Sequence, residues 1–173
     1  AAFERMTTLA IPDPDANYVL ETDASLVGLG AVLLQEQEGV ERPVGYFSKA
    51  LTDAESRYPP YKLELFGLYR SIKHFAPYLS FLPHFQVRTD NKALRYWRTA
   101  EYAPGDPCAK WKSYLSIFRF DIEHLSGASN NIADAISRAP KLVQTTPTLA
   151  VHSREASTPA TQSTVQPQFT GVT

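Results

Sequence analysis

Four carboxylates occupy positions in the sequence that could hold metal ions: Asp23, Glu64, Asp90 and Asp134. Asp23 and Asp90 each end a stretch that is typical of a central strand, where an unpaired ionised carboxylate is costly. Hard divalent ions such as Mg²⁺ take carboxylate oxygens as ligands, and two such ions can stabilise both the attacking and the leaving oxygen of a phosphodiester. Four acids suit two ions, so the set predicts metal-assisted phosphodiester chemistry.

Each acid also has an ordinary structural interpretation. Asp134 could cap a surface helix, Asp90 could cap the helix that follows it, and the helix dipole could favour Glu64 in a first turn. The chain contains 18 Asp and Glu residues, so one acid alone is weak evidence. The order of the four acids and their flanking sequence must decide between a metal site and these structural roles.

The elements that would position these acids form an α/β pattern. Alternating or short apolar segments predict three consecutive antiparallel strands at 18–22, 29–34 and 43–47. The same signal predicts two more strands at 85–89 and 120–124. We therefore expect a five-stranded mixed sheet flanked by helices.

Four helices are predicted between and after these strands. Thr52 with Glu55 resembles a capping box, and Pro59-Pro60 marks the first turn of a helix that runs to about Tyr78. Asp90-Asn91 offers a cap for a short helix at 92–97, and Asp106-Pro107 starts another. The last helix is expected at 130–138. The apolar stripe of the long helix comprises Leu65, Leu68, Ile72 and Phe75.

Composition limits the classes of function. The 17 basic and 18 acidic side chains leave a net charge of −1, which excludes nucleic-acid binding by bulk charge and leaves local patches. The single cysteine, Cys108, cannot form an intramolecular disulfide and suits a reducing compartment. No apolar run reaches the length of a membrane span, so no membrane partner is expected. The start without Met is typical of a piece of a longer polypeptide.

Four sequence segments resemble the ribonuclease H domain of gypsy-type LTR retrotransposon Pol polyproteins: YVLETDASLVGLGAVLLQ, PVGYFSKALTDAESRY, FQVRTDNKAL and HLSGASNNIADAISR. The resemblance implies a ribonuclease H-like fold at 15–140. Residues 1–14 resemble the end of the preceding reverse-transcriptase connection. Residues 141–173, which are rich in Ser, Thr, Pro and Gln, resemble the spacer before integrase and are expected to be a disordered linker.

The resemblance also implies roles for individual residues. The family's four catalytic, metal-binding acids fall on Asp23, Glu64, Asp90 and Asp134, with Glu55 as the alternative to Glu64. His124 lies ten positions before Asp134, where retroviral relatives have a mobile histidine, and is a candidate for proton transfer or product release. A hydrogen bond at the end of a strand is its structural alternative.

Contacts with nucleic acid are predicted at two places in the sequence. Backbone amides near Ser25 to Gly28 and the side chain of Asn91 could read 2′-hydroxyls, and Asn130 is a further candidate for contact with nucleic acid. A basic and aromatic segment could provide a ridge that faces phosphates, although its aromatic members are better explained as core residues. The cations of this ridge are Lys92, Arg95, Arg98, Lys110 and Lys112.

The expected function is hydrolysis of the RNA strand of RNA:DNA hybrids during reverse transcription, with two Mg²⁺ ions, or Mn²⁺ in their place, as cofactors. The expected partners are the hybrid and, in the same polyprotein, an upstream reverse transcriptase and a downstream integrase. The expected location is intracellular, in a cytoplasmic retrotransposon particle and later in the nucleus. The alternatives are a non-catalytic hybrid-binding module, a host-adopted remnant with a binding role, and another nuclease or transposase core with this fold.

Overall fold

The computed structural model describes residues 8–125 and 131–138. These residues form a five-stranded mixed sheet flanked by helices, which confirms the predicted fold class. Two 3₁₀ helices, Glu55–Arg57 and Lys92–Tyr96, complete the elements, and the second replaces the helix predicted at 92–97. The strands are β1 Tyr18–Ala24, β2 Gly28–Gln37, β3 Val40–Ala50, β4 Phe85–Thr89 and β5 Phe120–His124, and the helices are α1 Pro60–Leu79, α2 Pro107–Leu115 and α3 Asn131–Arg138.

The order of the strands places β1 at the centre of the sheet. The order is β3-β2-β1-β4-β5, with β1, β2 and β3 antiparallel and with β4 and β5 parallel to β1. Parallel strands end at the same edge of a sheet, so the ends of β1, β4 and β5 lie together. Asp23 lies near the end of β1 and Asp90 directly follows β4. We call this edge of the sheet the acidic edge.

The hairpin of β2 and β3 is longer than predicted. Its register continues through polar residues to the pair Gln37 and Val40. Glu38 and Gly39, at φ 54° and 75°, form the tight turn, a conformation that suits the twist of a hairpin. Pro43 is tolerated because β3 is an edge strand. The polar residues near the turn lack the apolar alternation that the prediction required.

The main core lies between the sheet and helices α1 and α2. The predicted apolar stripe of α1 is confirmed, since all four of its side chains are buried. Trp97 and Trp111 are also buried in this core, as their structural interpretation predicted. Asp106 caps α2 by accepting a hydrogen bond from the backbone N–H of Cys108 at 2.9 Å. Asn91 caps the second 3₁₀ helix through the N–H of Ala93, also at 2.9 Å.

Residues before β1 are attached to the sheet by the side chain of Gln35. This side chain is fully buried, accepts a hydrogen bond from the N–H of Asp13 at 2.9 Å and donates one to the carbonyl of Ile11 at 2.7 Å. The N–H of Ala10 also donates to the carbonyl of Pro43 at 2.7 Å. Part of the segment assigned to the preceding connection thus packs on β2 and β3. Residues 1–7 and the predicted linker at 141–173 lie outside the described residues.

None of the helices in the described ranges combines the length and the hydropathy that a bilayer span requires.

Candidate metal and nucleic-acid site

Three of the four predicted acids meet at the acidic edge. Asp23, Glu64 and Asp90 each offer one carboxylate oxygen, and these three oxygens lie within 4.8 Å of one another. Asp23 is buried at 6% exposure, Glu64 is partly buried, and Asp90 is exposed. The group therefore has a buried side in the sheet and an open side toward solvent.

Helix α1 places Glu64 in this group because its apolar side fixes how it lies on the sheet. Leu65, which follows Glu64 directly, and Leu68, about one turn later, are fully buried. Gly67, one turn after Glu64, packs over β1 and β2, where an added Cβ would lie 3.6 Å from the Cβ of Ala24 and 3.5 Å from a methyl of Leu29. Burial of this face thus brings the first turns of α1 to the end of β1.

Glu55, the alternative to Glu64, is occupied elsewhere. Its carboxylate accepts a hydrogen bond from the N–H of Thr52 at 2.9 Å and forms an ion pair with Lys49. The N–H of Glu55 in turn donates to the Thr52 hydroxyl at 3.3 Å. This is the reciprocal pattern of the predicted capping box. It stabilises the first 3₁₀ helix, and the geometry favours Glu64 as the acid of the site.

The three acids repel one another in the folded protein. Burial, together with the charges of Asp23 and Asp90, raises the pKa of Glu64 to about 9. The pKa of Asp23 is also raised, chiefly by burial and further by Asp90 and Asp134, while a hydrogen bond from Ser137 opposes the shift. A cation between these oxygens would relieve the repulsion. The donor set consists of hard carboxylate oxygens, which fits a divalent metal ion.

Asp134, the fourth predicted acid, lies on α3 and outside the 4.8 Å group. Its carboxylate accepts a hydrogen bond from the Arg138 guanidinium at 2.7 Å. Asp134 is nevertheless near the site, because its carbonyl lies 2.9 Å from the Ser137 hydroxyl, which donates to Asp23. Helix α3 thus brings a fourth acid to the acidic edge but pairs it with its own arginine.

Close contact between backbones holds α3 against the sheet. A Cβ added to Gly30 on β2 would lie 2.4 Å from the carbonyl oxygen of Ala133 and 2.5 Å from the nitrogen of Ser137. Gly30 is also the residue of β2 that pairs with Asp23. Only glycine leaves the room that this contact needs.

Sequence reasoning missed the role of Gly30 and of Ser137 at this site. The Ser137 hydroxyl is buried and donates a hydrogen bond to Oδ2 of Asp23 at 2.5 Å. A signal was available, because Ser137 lies three residues after Asp134 and residues at that spacing share one face of a helix. Residues on the same face of the helix as Asp134 were therefore also candidates for the site.

His124 lies at the acidic edge as the last residue of β5. It pairs in register with Thr89, the residue before Asp90, and its side chain is partly buried. The N–H of Leu125 donates to the carbonyl of Thr89 at 2.9 Å, so the pairing continues past His124. The structure thus places His124 on a strand next to the acidic group. Asn130 lies outside the described residues.

The predicted contacts at Ser25 and Gly28 have partners within the fold. The Ser25 hydroxyl accepts a hydrogen bond from the N–H of Gly28 at 3.2 Å and from that of Val27 at 3.3 Å. It also lies 2.9 Å from the carbonyl of Ser137, to which it donates. The turn between β1 and β2 is thereby closed and joined to α3. The amides of Val27 and Gly28 donate to Ser25, while contact of this turn with nucleic acid stays a prediction.

Two cations of the predicted basic ridge have contacts within the fold. Lys112 donates to the carbonyl of Ala100 at 2.7 Å. Arg98 donates to the carbonyl of Phe120 at 3.1 Å and lies over the Trp97 ring. Both cations therefore stabilise the fold itself, and their contact with nucleic acid stays a prediction. The three remaining members are exposed: Lys92, Arg95 and Lys110.

Comparison with known proteins identifies the family of this chain. Residues 13–118 match the family described as the RNase H-like domain found in reverse transcriptase. The chain is 36% identical over 132 residues to the retrovirus-related Pol polyprotein from transposon 412 of Drosophila melanogaster. It is 38% identical over 129 residues to the transposon Tf2-3 polyprotein of Schizosaccharomyces pombe. These matches cover 76% and 73% of this chain but only 10% of each relative.

Solved structures with the same fold include a foamy viral protease-reverse transcriptase and LC11-RNase H1. A foamy viral protease-reverse transcriptase in complex with double-stranded DNA matches at a TM-score of 0.56 and 16% identity, over 73% of this chain and 27% of that one. LC11-RNase H1, isolated from compost, matches at a TM-score of 0.55 and 16% identity, over 72% of this chain and 94% of that one. The same enzyme in complex with an RNA/DNA hybrid matches at a TM-score of 0.52, over 69% and 93%. The chain therefore belongs to the family of RNase H-like domains found in reverse transcriptase, and its relatives are Pol polyproteins of retrotransposons.

Proposed function

We propose that this chain is a metal-dependent endoribonuclease that hydrolyses the RNA strand of RNA:DNA hybrids. The observation that carries the proposal is the group of three carboxylate oxygens within 4.8 Å, at one edge of an RNase H-like sheet. Structural neighbours support the substrate class, since LC11-RNase H1 has been crystallised with an RNA/DNA hybrid.

The metal ligands in this proposal are Asp23, Glu64 and Asp90, with Asp134 as the fourth acid. Mg²⁺ is the proposed ion, in two copies, and Mn²⁺ is the alternative. When bound, such ions lower the pKa of a water molecule and stabilise charge on the leaving oxygen of a phosphodiester. The raised pKa of Glu64 supports a cation at this site, because the ionised acids otherwise lack compensation.

The chain's own residues have distinct tasks in this proposal. Asp23 lies in the buried part of the site and is fixed by the Ser137 hydroxyl, so it serves as the anchor. Asp90 is exposed and lies on the side from which a phosphodiester can approach. His124, on the neighbouring strand, is proposed to transfer a proton to the leaving group or to assist product release.

The hybrid is proposed to bind along the acidic edge through residues outside the acidic group. Asn91 lies next to Asp90, and the exposed cations Lys92, Arg95 and Lys110 are proposed to contact phosphates. Selection of RNA would depend on its 2′-hydroxyls and on the shape of the hybrid. With a net charge of −1, the chain by itself should bind hybrids weakly and with strong dependence on salt.

The proposal extends to the polyprotein. Because the chain covers 10% of its transposon relatives, the rest of such a protein would supply its partners. We propose an upstream reverse transcriptase that helps to hold the hybrid and a downstream integrase, within an intracellular retrotransposon particle. The family description, which places these domains in reverse transcriptase, supports the upstream partner.

A cleavage assay tests the proposed activity. The purified chain is incubated with labelled RNA:DNA hybrid, double-stranded RNA or double-stranded DNA, each with Mg²⁺, Mn²⁺ or a chelator. We expect cleavage of the RNA strand of the hybrid alone, and only with metal. Cleavage of double-stranded DNA would instead indicate another nuclease with this fold.

Two matched variants identify the site in that assay. Asp90→Asn removes a proposed ligand and should abolish cleavage. Asp121→Asn makes the same change at the start of β5, at the far end of the strands, where Asp121 pairs with Gln86 and its side chain is 88% exposed. It should cleave as the wild type does. Binding without cleavage, even when the upstream reverse-transcriptase region is added, would favour a non-catalytic module.

A further inference from the structure

Helix α3 packs on the sheet through Ala133 and Ile132 and is also attached by polar groups, which lie around Ser137. The carbonyl of Ser137 accepts a hydrogen bond from the Ser25 hydroxyl at 2.9 Å, and that of Ile136 accepts one from the Ser48 hydroxyl at 3.5 Å. The last carbonyls of a helix lack partners within the helix, so a serine of the β1–β2 turn and a serine of β3 satisfy two of them here. We call Ser25 and Ser48 the serine clasp.

The side chain of Ser137 reaches past this clasp into the acidic group. Its hydroxyl is 2.5 Å from Oδ2 of Asp23, and both residues are buried. A hydroxyl has one proton, and the alternative acceptor, the carbonyl of Asp134, lies farther away at 2.9 Å. An ionised carboxylate is also the stronger acceptor, so the proton points to Asp23.

The position of this hydroxyl depends on how closely α3 approaches the sheet. The nitrogen of Ser137 is one of the atoms that a Cβ on Gly30 would strike, at 2.5 Å. Gly30 pairs in register with Asp23 on the adjacent strand. The same local contact therefore sets the distance between helix and sheet and the distance between Ser137 and Asp23.

We propose that Ser137 is a positioning residue that orients the carboxylate of Asp23 and makes this orientation depend on the docking of α3. One oxygen of Asp23 is held by Ser137, which leaves the other free for a metal ion. Because α3 also bears Asp134, its docking would bring the fourth acid to the site and orient the first in one event. This inference rests on the proposed metal role of Asp23.

A purely structural role for Ser137 makes a different prediction. If the hydroxyl only satisfied a buried carboxylate, its loss would lower stability and leave the affinity for metal unchanged in the folded protein. If it orients Asp23, its loss would weaken metal binding well below the melting temperature. Outer-shell hydrogen bonds to metal ligands typically contribute about 10-fold to 100-fold in affinity or activity.

The first experiment uses the full chain with Ser137→Ala and with Ser113→Ala as the matched control. Ser113 lies on α2 and is exposed. Its hydroxyl donates a hydrogen bond to the carbonyl of Ala109 in the same helix. Binding of Mn²⁺ is measured by electron paramagnetic resonance at a temperature where all variants are folded. We expect about tenfold weaker binding in Ser137→Ala and wild-type binding in the control. Equal Mn²⁺ affinity in Ser137→Ala and wild type would overturn the proposal.

Kinetics on the hybrid provide a second readout. Ser137→Ala should lower kcat while the KM for the hybrid stays close to the wild-type value, since α3 docking affects the acids more than the surface that binds nucleic acid. A rise of KM alone would contradict a role through Asp23.

A double-mutant cycle in the absence of metal separates this inference from the proposed function. Unfolding is measured for Ser137→Ala, Asp23→Ala and the double variant, and we expect coupling of about tenfold in the unfolding equilibrium constant. Additive effects would overturn the contact itself. If wild type binds no Mn²⁺ and the cycle still shows coupling, the metal function fails while the link between Ser137 and Asp23 stands.

Discussion

The acidic edge is assembled from two sides that are held in different ways. Helix α1, which supplies Glu64, has 20 residues, nine of them buried. Helix α3, which supplies Asp134, has eight residues, and among its described side chains only Ala133 and Ser137 are buried. The first side is held mainly by apolar burial. The second combines the packing of Ala133 and Ile132 with close backbone contact, the serine clasp and the Ser137 hydroxyl.

This difference has consequences for stability and for function. Burial of one large apolar side chain contributes about 1.5–3 kcal/mol, whereas one intramolecular hydrogen bond contributes about 0.5–1.5 kcal/mol net. Helix α1 should therefore unfold only with the whole domain, and α3 should open locally at a lower free energy. We therefore expect the acids on β1, after β4 and on α1 to form a fixed group, to which docking of α3 adds the fourth acid.

The largest effect should follow truncation in the core that holds α1. Leu68 is fully buried, and Leu68→Ala should lower the free energy of unfolding by about 2–5 kcal/mol. Ile132→Ala is the matched truncation on α3, where Ile132 is partly buried against Val19, Val32 and Leu34. Urea denaturation should show a much smaller loss for Ile132→Ala. Equal losses would mean that both sides depend on apolar burial.

Two glycine substitutions test the contact between α3 and the sheet. Gly30→Ala places a methyl 2.4 Å from the Ala133 carbonyl, and overpacking of this kind typically costs about 1–3 kcal/mol. We expect loss of hydrogen-exchange protection in α3 and a fall in cleavage rate, with protection of α1 retained.

Gly67→Ala is the control for that substitution. Its methyl would meet ordinary van der Waals contacts at 3.5 and 3.6 Å, and alanine stabilises a helix interior by roughly 0.5–1 kcal/mol relative to glycine. The two variants should thus change stability in opposite directions. Protected α3 amides in Gly30→Ala would show that the helix is not docked through this contact.

A further effect on the free energy of unfolding is expected from pH, which acts on the repulsion among the carboxylates at the α1 side. Without metal, Glu64 ionises near 4.5 in the unfolded chain and near 9 in the folded one. Between these values the folded state binds the proton that the unfolded state has lost, so this group's contribution to stability falls as pH rises. The raised pKa of Asp23 acts in the same direction.

Denaturation near both ends of that pH window measures the effect. In chelator, wild type should lose more stability with rising pH than Glu64→Gln does, because the variant lacks the titrating carboxyl. Mg²⁺ should stabilise wild type more at the upper end, since its ligands must be ionised to bind it. An identical pH slope in the two proteins would indicate that Glu64 carries no such repulsion.

Local periodicity predicted the elements of the main core. The stripe of α1 and strand β5 have apolar residues at the spacing of their own secondary structure, so the sequence alone located them. The hairpin of β2 and β3 was predicted too short because cross-strand pairing and a tight turn at Glu38–Gly39 extend it through polar residues. Pairing between strands overrides local pattern there.

The site could be predicted in part. Asp23 and Asp90 were predicted because each ends a stretch that is typical of a central strand, and Glu64 followed from the resemblance of its flanking sequence. The contact between Ser137 and Asp23 joins residues 114 positions apart, so the helical spacing from Asp134 could mark Ser137 as a candidate but could not identify Asp23 as its partner. For the same reason the internal partners of Arg98 and Lys112 were visible only in the folded chain.

The smallest effect on stability should come from the ion pair between Arg138 and Asp134, which lies within α3. The side chains of Arg138 and Asp134 are 68% and 42% exposed, and exposed pairs of this kind contribute little because water and salt screen them. Arg138→Ala should therefore leave the free energy of unfolding unchanged within error, as should Arg57→Ala, an exposed arginine in the first 3₁₀ helix. Denaturation at low and high salt provides the measurement. A loss in Arg138→Ala comparable to that of Gly30→Ala, and abolished by salt, would mean that charge rather than hydroxyl and backbone contact secures α3, and the two sides of the acidic edge would then differ in electrostatics instead of packing.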